Sequence, residues 1–290
     1  MCIRDSHYTV ATTWSLSFQQ IEANNPIAGE LLRLCAFLQP DAISEDILIK
    51  GGNTLGPVLS PIAENPMLLD EGIDALLRYS LIKRNERRTL TIHRLVQMVL
   101  KDGMDKGTQK HWLERCLQLL NQEFPHGSML IDQWEWCEQL VPHILECAML
   151  CQEWSITSAD AFSLFSKTAS YLSDRRRDTV AESLYTQALR MSKYLEHPDL
   201  ASTFNGLANL YREQGRYEQA EPLCLQAQRI WEKMLGPDHP HVAYALNTLA
   251  LIYHVQGKYE EAEQLYQRTL HIREQGLGPD HPDVAHPLNS

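Results

Sequence analysis

Residues 204–223 read FNGLANLYREQGRYEQAEPL, and residues 246–265 read LNTLALIYHVQGKYEEAEQL. Both stretches place leucine, alanine, tyrosine, glycine and glutamate in the same order, 42 residues apart. The matched pairs are Leu207 and Leu249, Ala208 and Ala250, Tyr211 and Tyr253, Gly215 and Gly257, Tyr217 and Tyr259, Ala220 and Ala262, and Glu221 and Glu263. Self-similarity at a fixed period of this length is typical of repeat architectures, in which each unit packs against its neighbours.

The repetition extends in both directions from these two stretches. The linkers at the unit boundaries share the same spacing, and they are His197-Pro198-Asp199, His239-Pro240-His241 and His281-Pro282-Asp283. A more divergent copy lies 39 residues upstream, where Ala169, Ala181 and Ala188 stand in the places of Ala208, Ala220 and Ala227. The sequence therefore predicts repeat units over residues 158–196, 197–238 and 239–280, with a truncated fourth unit over residues 281–290.

The pattern inside each unit predicts two helices. The apolar residues of the first helix follow the i, i+3, i+4, i+7 spacing of one helical face, and they are Phe204, Leu207, Ala208 and Tyr211. Gly215 then permits a tight turn into the second helix. Alanines on both helices provide the small side chains that two closely packed helices need. Each unit is therefore expected to be a helical hairpin.

These units resemble the tetratricopeptide repeat family. The three small-residue positions of that family match Ala208, Ala220 and Ala227 in one unit, and Ala250, Ala262 and Thr269 in the next. The long period and the Gly-Pro-Asp-His-Pro linker are similar to those of kinesin-light-chain repeats. The resemblance implies stacked hairpins in a right-handed α-solenoid, whose function is to bind a peptide or a protein.

Polar side chains recur on the first helix of each unit, the helix that normally lines the concave face of such a solenoid. They are Ser202, Asn205, Asn209 and Arg212 in the second unit, Tyr244, Asn247, Leu251 and His254 in the third, and Asn289 in the fourth. An asparagine can both donate to and accept from an extended backbone, and in kinesin-light-chain-like repeats similar asparagines contact the peptide main chain. We therefore predict a peptide groove of Asn205, Asn209, Arg212, Asn247, His254 and Asn289. The alternative for the asparagines is hydrogen bonding between repeats, or solvation.

Residues 9–103 show a different pattern, in which helices precede a β-hairpin. Helical periodicity covers residues 12–23, Pro26 begins a second helix, Ser44 caps a third, and a fourth covers residues 69–79. Residues 81–84 and 89–92 read as two short strands, and a last helix starts near His93. Helices followed by such a hairpin predict a winged-helix domain. The expected fold class is therefore mainly α, a winged-helix domain with a small β-hairpin followed by the α-solenoid.

Four segments of this domain resemble the winged helix of bacterial STAND-type (NB-ARC-like) signalling ATPases. They are residues 32–38 (LRLCAFL), 43–49 (ISEDILI), 76–82 (LLRYSLI) and 92–96 (IHRLV). In that family the last motif carries a histidine that senses the nucleotide phosphate, and His93 stands in its place, although Ile92 and Arg94 depart from the flanking residues. The resemblance implies that His93 senses nucleotide and that an upstream nucleotide-binding domain is a partner. The alternative is that His93 caps the helix that follows it.

The composition restricts the classes of partner. The net charge is −11 and the isoelectric point is near 5.5, whereas a protein that binds nucleic acid needs a basic face. No nucleic-acid partner is therefore expected. The basic residues of the predicted wing, Lys83, Arg84, Arg87 and Arg88, leave one rival open, a DNA-binding regulator whose repeats sense a peptide. A simple repeat scaffold is the third interpretation.

The remaining patterns predict no catalytic site, metal or cofactor in this sequence. Gly51 and Gly56 have phosphate-loop spacing, but Pro57-Val58 follow in place of lysine and a hydroxyl residue. His143, Cys147 and Cys151 stand four residues apart on one helix, which can offer at most two ligands to one zinc ion. We interpret the thiols as packing groups. ATP or ADP is expected only for a longer protein that includes a nucleotide-binding domain.

The rest of the chain is interpreted as a leader and a connector. Residues 1–8 fit no neighbouring pattern and are interpreted as a non-native leader. Residues 104–157 are predicted to form a connector of two helices, over residues 108–124 and 133–151. No apolar run approaches the roughly 18 residues that cross a membrane. Together with an odd number of cysteines, seven, this favours a cytoplasmic protein without a membrane partner.

Overall fold

The computed structural model of the chain describes residues 17–125, 133–192 and 199–277. The chain divides into two compact units, Met1–Lys167 and Thr168–Ser290. Within the described ranges both units are built mainly from helices, and the first also contains a small sheet, which confirms a mainly α fold class with a small β-sheet. The predicted leader over residues 1–8 and the groove residue Asn289 lie outside the described residues.

The described part of the first unit begins with a helix over residues 17–24, α1. The later elements are α2 (Pro26–Cys35), β1 (Ile43–Ser44), α3 (Glu45–Lys50), a 3₁₀ turn (Gly52–Thr54), α4 (Gly56–Leu59), α5 (Pro61–Glu64), α6 (Met67–Arg78), β2 (Ile82–Arg84), β3 (Thr89–Ile92), α7 (Arg94–Asp102), α8 (Lys106–Glu123), α9 (Trp134–Trp154) and the first part of α10 (Ala159–Asp174). Pro26 begins α2 as predicted, and the side chain of Asn25 caps it by accepting from the Ala28 amide at 3.0 Å.

The three strands form an antiparallel sheet in the order β1-β3-β2. The β2–β3 hairpin confirms the two strands predicted from the sequence. Strand β1 was not predicted, because two residues are too few to show an alternating pattern, and it exists through the pairing of Ile43 with Leu90. Ser44 still caps α3 as predicted, since its hydroxyl accepts from the Asp46 amide at 3.3 Å.

A buried carboxylate ties the β2–β3 hairpin to α3. Glu45 is fully buried, and its carboxylate accepts from Arg84 at 2.6 and 2.7 Å and from Arg88 at 3.0 Å. Arg84 also pairs with Asp70 of α6 at 2.7 Å. The hydrogen bond to Glu45 raises the pKa of Arg84, which keeps the guanidinium charged. Two of the four basic residues of the predicted wing are therefore neutralised within the protein.

Backbone carbonyls at the end of α2 and just beyond it receive hydrogen bonds from three later helices. Gln97 of α7 donates to two of them, at 2.9 and 2.8 Å. The thiols of Cys116 on α8 and Cys147 on α9 donate to one each, at 3.6 and 3.7 Å. These contacts place the predicted connector, residues 104–157, within the first unit. Across the described ranges, no three histidine, cysteine or carboxylate side chains are arranged to hold a metal ion.

The second unit consists of helical hairpins. After the last part of α10 come α11 (Asp178–Met191), α12 (Leu200–Glu213), α13 (Tyr217–Leu235), α14 (Pro240–Val255) and α15 (Tyr259–Leu277). The hairpins are α10–α11, α12–α13 and α14–α15, and they confirm the two-helix interpretation of the first three predicted repeats. The truncated fourth unit, residues 281–290, lies outside the described residues. None of the helices in the described parts of the chain is both long and apolar enough to cross a lipid bilayer.

Small residues let α14 pack closely on the preceding hairpin. One buried cluster joins α12 and α13 to α14 through Ala208, Ala220, Cys224, Leu249 and Ile252. A second cluster joins the other end of the same helices to α15 and contains Ala201, Ala227, Trp231, Val242, Ala243, Ala245, Leu246 and Ile272. Three of the alanines that identify the repeat in the sequence, Ala208, Ala220 and Ala227, therefore lie in the contact between successive hairpins, where a larger side chain would push the helices apart.

All three hairpins close with the same turn. In each, an amide donates back to the carbonyl five residues earlier, from Arg177 to Leu172, from Arg216 to Tyr211 and from Lys258 to Tyr253, at 2.9, 2.8 and 2.9 Å. The residue before each donor has a positive φ, +75° at Gly215 and +78° at Gly257. In the first hairpin that residue is Arg176, with φ +59°. The turn survives there although this backbone region costs a non-glycine residue about 1–2 kcal/mol.

Candidate peptide-binding face

The residues predicted to line a peptide groove lie on two neighbouring helices, α12 and α14. We call eight of them the first-helix face: Ser202, Asn205, Asn209 and Arg212 on α12, and Tyr244, Asn247, Leu251 and His254 on α14. The spacing i, i+3, i+7, i+10 brings the four residues of each helix to one side. Tyr244, Ser202 and His254 are exposed, and the other five are half-buried. The structure thus brings the predicted residues of the second and third repeats together on adjacent helices.

Asn209 takes part in hydrogen bonding between repeats. The hydroxyl of Thr248 on α14 donates to its Oδ1 atom at 3.2 Å, and Arg212 Nε lies 3.4 Å from the same oxygen. The same hydroxyl lies 3.0 Å from the Tyr244 carbonyl, so its one hydrogen is shared between the two acceptors. Asn209 therefore forms a hydrogen bond between repeats, which was the alternative to contact with a peptide. The sequence alone did not indicate a role for Thr248. Its one signal was that a residue with a hydroxyl stands where the preceding unit has Gly206.

Asn205 and Asn247 differ from Asn209. The Oδ1 atoms of both are buried, and no group among the described residues donates a hydrogen bond to either. The two residues occupy the same position in consecutive repeats. A buried acceptor without a donor costs about 1–3 kcal/mol. Both oxygens are closed to solvent in this conformation, so a donor from outside the chain meets them only when the half-buried side chains rotate outward.

The first-helix face carries little uncompensated charge. Arg212 Nη2 lies 3.4 Å from Glu213 Oε1 on the same helix. His254 meets the ring of Tyr259 edge-on, with ring centroids 5.4 Å apart. Tyr244, which is 54 % exposed, and Leu251 add aromatic and aliphatic surface. The face therefore combines two buried amide oxygens with apolar surface and one paired cation.

In the first unit, His93 is the N-cap of α7. Its Nδ1 atom accepts from the Leu95 amide at 3.1 Å, and the side chain is exposed. The geometry therefore shows His93 as a helix cap, which was the alternative to nucleotide sensing. An Nδ1 atom that accepts places the hydrogen of the neutral ring on Nε2.

Comparison with protein families finds two matches. Residues 199–275 and 243–290 match the tetratricopeptide repeat. Residues 19–109 match a domain of unknown function (DUF7779). No curated protein matches the chain. The second match spans the described helices α1 to α7, the sheet and the start of α8.

Solved structures of other repeat proteins are similar to the chain at low identity. BtubC (BKLC) from P. vanneervenii is 16% identical and has a TM-score of 0.47, with 82% of this chain and 91% of that chain covered. A Podosopora anserina kinesin-light-chain protein with nearly identical TPR-like repeats is also 16% identical, with a TM-score of 0.44 and coverage of 75% and 92%. From the family match and its own helical hairpins, the chain carries tetratricopeptide repeats over residues 199–290.

Proposed function

We propose that the tetratricopeptide repeats bind an extended segment of a partner protein across the first-helix face. The observation that carries the proposal is the pair of buried amide oxygens on Asn205 and Asn247, which lack a donor among the described residues. Backbone N–H groups of a bound peptide are donors present in any sequence except at proline. Once their side chains rotate outward, the two asparagines would hold the main chain of the ligand, whatever its side chains.

The spacing of the helices suits a ligand of this kind. Packed helices lie about 8–10 Å apart, so equivalent atoms on α12 and α14 are separated by roughly that distance. A polyproline-II chain repeats its orientation every three residues, a rise of about 9 Å. Amides three residues apart on one side of such a peptide would meet Asn205 and then Asn247. Tyr244 and Leu251 would contact apolar side chains of the ligand.

For the first unit we propose a winged-helix role in a STAND-type regulatory ATPase, in which this unit transmits ligand binding on the repeats to an upstream nucleotide-binding domain. The strand order β1-β3-β2, with helices before the hairpin, supports the winged-helix interpretation. Leu95 and Met98 are 36% and 51% exposed on α7, beside His93. This exposed apolar pair suits a contact with a partner domain.

The DNA-binding rival receives less support. Of the four basic residues of the wing, Arg84 and Arg88 are paired with the buried Glu45. A wing that binds DNA phosphate relies on such side chains to displace counterions. Only Lys83 and Arg87 of that set remain for a phosphate contact, on a chain whose net charge is −11. We therefore prefer the signalling function.

The test of the peptide site is a double substitution, Asn205→Ala with Asn247→Ala. Peptides would first be selected from a random display library against the unmodified chain, and one would be titrated against both proteins by calorimetry. We expect a loss of about tenfold or more in affinity, because two hydrogen bonds of about 1 kcal/mol each disappear. The free energy of unfolding should stay equal or rise, because two unsatisfied acceptors are removed.

A matched control replaces two exposed amides on second helices, Gln226→Ala with Gln264→Ala. This variant should bind the peptide as tightly as the unmodified chain. Unchanged affinity in the asparagine variant together with lower stability would show that the asparagines serve the packing of the repeats, and the proposal would be wrong. Failure to select any peptide would reject it as well.

The test of the histidine uses a longer protein that includes a nucleotide-binding domain. His93→Asp keeps a side-chain acceptor for the α7 cap but repels phosphate. We expect ADP retention to fall at least tenfold, while His93→Asn, which keeps both a cap and a donor, loses less. Equal ADP release by the unmodified protein and the aspartate variant would leave His93 as a cap alone.

A further inference from the structure

The linker between the second and third repeats carries two histidines whose rings lie close together. The ring centroids of His239 and His241 are 5.0 Å apart, and the ring planes are tilted by 47°. His239 is half-buried, and His241 is exposed. In the corresponding linkers the second of these places holds an aspartate, Asp199 or Asp283. The histidine pair is therefore a feature of this linker and not of the repeat pattern.

Neighbouring groups fix the position of both rings. The His241 ring stacks on the indole of Trp231, with centroids 5.6 Å apart and planes 26° from parallel, and Trp231 itself is buried. His239 is the N-cap of α14, where its Nδ1 atom accepts from the His241 amide at 3.2 Å. Because both rings are already ordered, a ligand that they share would cost little side-chain entropy to bind.

The separation of the rings matches that of two imidazoles bound to a single metal ion. A zinc-bound imidazole nitrogen lies about 2.0–2.1 Å from the ion, which puts the ring centre about 3.2 Å from it. Two such rings are then about 4.5 Å apart for a right angle at the metal and about 5.2 Å apart for a tetrahedral angle. The 5.0 Å between the centroids of His239 and His241 falls within this range.

We propose that His239 and His241 together bind one divalent transition-metal ion, of the class of zinc, nickel or copper. Imidazole nitrogens suit these ions, whereas magnesium and calcium prefer oxygen ligands. A bound ion would join the linker to the first turn of α14. Neither histidine belongs to the first-helix face, although the Tyr244 ring lies 6.0 Å from that of His241. The proposal therefore does not rest on peptide binding.

Two protein ligands predict a metal site of moderate affinity. Among the described residues, no third histidine, cysteine or carboxylate is placed to complete the set, so water would fill the other positions around the ion. Structural zinc sites with four protein ligands bind far more tightly. With half that number of ligands, we expect a dissociation constant on the order of 10 µM. The ion would therefore exchange with the solution and would not be a permanent part of the fold.

Metal binding would compete with the N-cap of α14. In the neutral ring of His239, an Nδ1 atom that accepts leaves the hydrogen on Nε2. When Nε2 instead binds the ion, the hydrogen lies on Nδ1, which can no longer accept from the His241 amide. Hydrogen exchange of that amide should then become faster by about fivefold, the effect of one hydrogen bond. This change at one amide is a signature of an ion bound through His239.

The experiment is a calorimetric titration of zinc chloride into the whole chain at neutral pH. We expect the unmodified chain to bind one equivalent more than the double variant His239→Asn with His241→Gln, in which asparagine keeps a cap for α14. Each single substitution should weaken this event about tenfold or more, because only one imidazole remains. The matched control, His111→Gln with His271→Gln, changes two exposed histidines and should retain the event. Because the chain has 12 histidines, the comparison of variants identifies the site.

Three results would overturn the proposal. Equal zinc uptake by the unmodified chain and the double variant would show that the histidine pair binds no metal. Full affinity in either single variant would place the ion on one histidine alone, and so would unchanged exchange of the His241 amide at saturating zinc. The Asn205→Ala, Asn247→Ala chain should bind zinc normally, so a failure of the peptide groove and a failure of the metal site are distinguishable.

Discussion

Replacing Glu45 with alanine is expected to lower the free energy of unfolding of the first unit by about 3 kcal/mol. Removing one partner of a buried ion pair costs about 3–5 kcal/mol when the other charge stays buried. Here Arg84 and Arg88 are 28% and 55% exposed, and they can regain some hydration, which places the expected loss at the lower end. Urea denaturation followed by circular dichroism measures it.

The neighbouring Asp46→Ala variant is the control, because Asp46 is also acidic and in the first turn of α3 but is exposed. Its cost should stay near about 0.5 kcal/mol, the value of a charge near a helix N-terminus. Glu45→Met combined with Arg84→Met should recover part of the lost stability, because an apolar pair often replaces a buried ion pair without cost. A Glu45→Ala chain within about 0.5 kcal/mol of the unmodified one would contradict the account of the hairpin.

Acidification from pH 6.5 to pH 4 is expected to remove about 3 kcal/mol of stability through His143. This residue is 1% exposed, and burial lowers its pKa to about 4, although a hydrogen bond to the Ala42 backbone opposes the shift. The unfolded chain binds a proton at this histidine near pH 6.5, whereas the folded chain does not until about pH 4. Stability from His143 is therefore complete above pH 6.5 and is lost as the pH falls, by about 1.4 kcal/mol per unit.

The measurement is the slope of unfolding free energy against pH for the unmodified chain and for His143→Gln, which can keep a donor toward Ala42 but does not titrate. The difference between the two slopes isolates this histidine from the carboxylates that also titrate at low pH. His111→Gln, at an exposed position, should leave the slope unchanged. Parallel curves for the unmodified and His143→Gln chains would show that His143 takes up its proton at the same pH in the folded and unfolded chains, which would contradict the lowered pKa.

The repeats could be predicted from the sequence because their determinants are local and recur. Ala208, Ala220 and Gly215 each act within one hairpin or between adjacent hairpins, so their positions in the chain indicate their contacts. Where the first copy has lost the glycine, Arg176 adopts the same left-handed backbone. The packing of neighbouring hairpins therefore enforces a turn that the local sequence no longer favours.

The first unit was less predictable because its contacts join residues far apart in the chain. Glu45 reads as an ordinary first-turn acid, and only the folded chain brings Arg84 and Arg88 to it. Strand β1 likewise depends on β3. His93 follows a predicted strand and precedes a predicted helix, but a helix cap and a phosphate donor use the same residue type, so the sequence pattern alone does not distinguish the two roles.

The candidate site was likewise predicted from the sequence only in part. The asparagine series predicted which positions share a face, because helical spacing sets them. It did not separate Asn209, which accepts from Thr248, from Asn205 and Asn247, whose oxygens lack a donor among the described residues. That difference depends on whether a threonine of the next repeat lies within hydrogen-bonding distance of the asparagine oxygen. The distance is set by the packing of the helices.

The central claim is that a ligand donates hydrogen bonds to Asn205 and Asn247. The most direct test is an NMR titration of the asparagine side-chain amides with a selected peptide. We expect the Asn205 and Asn247 amide signals to shift together and to saturate at one equivalent, with the signal of Asn121, an asparagine of the first unit, unchanged. Saturable binding that leaves both signals in place would contradict the account.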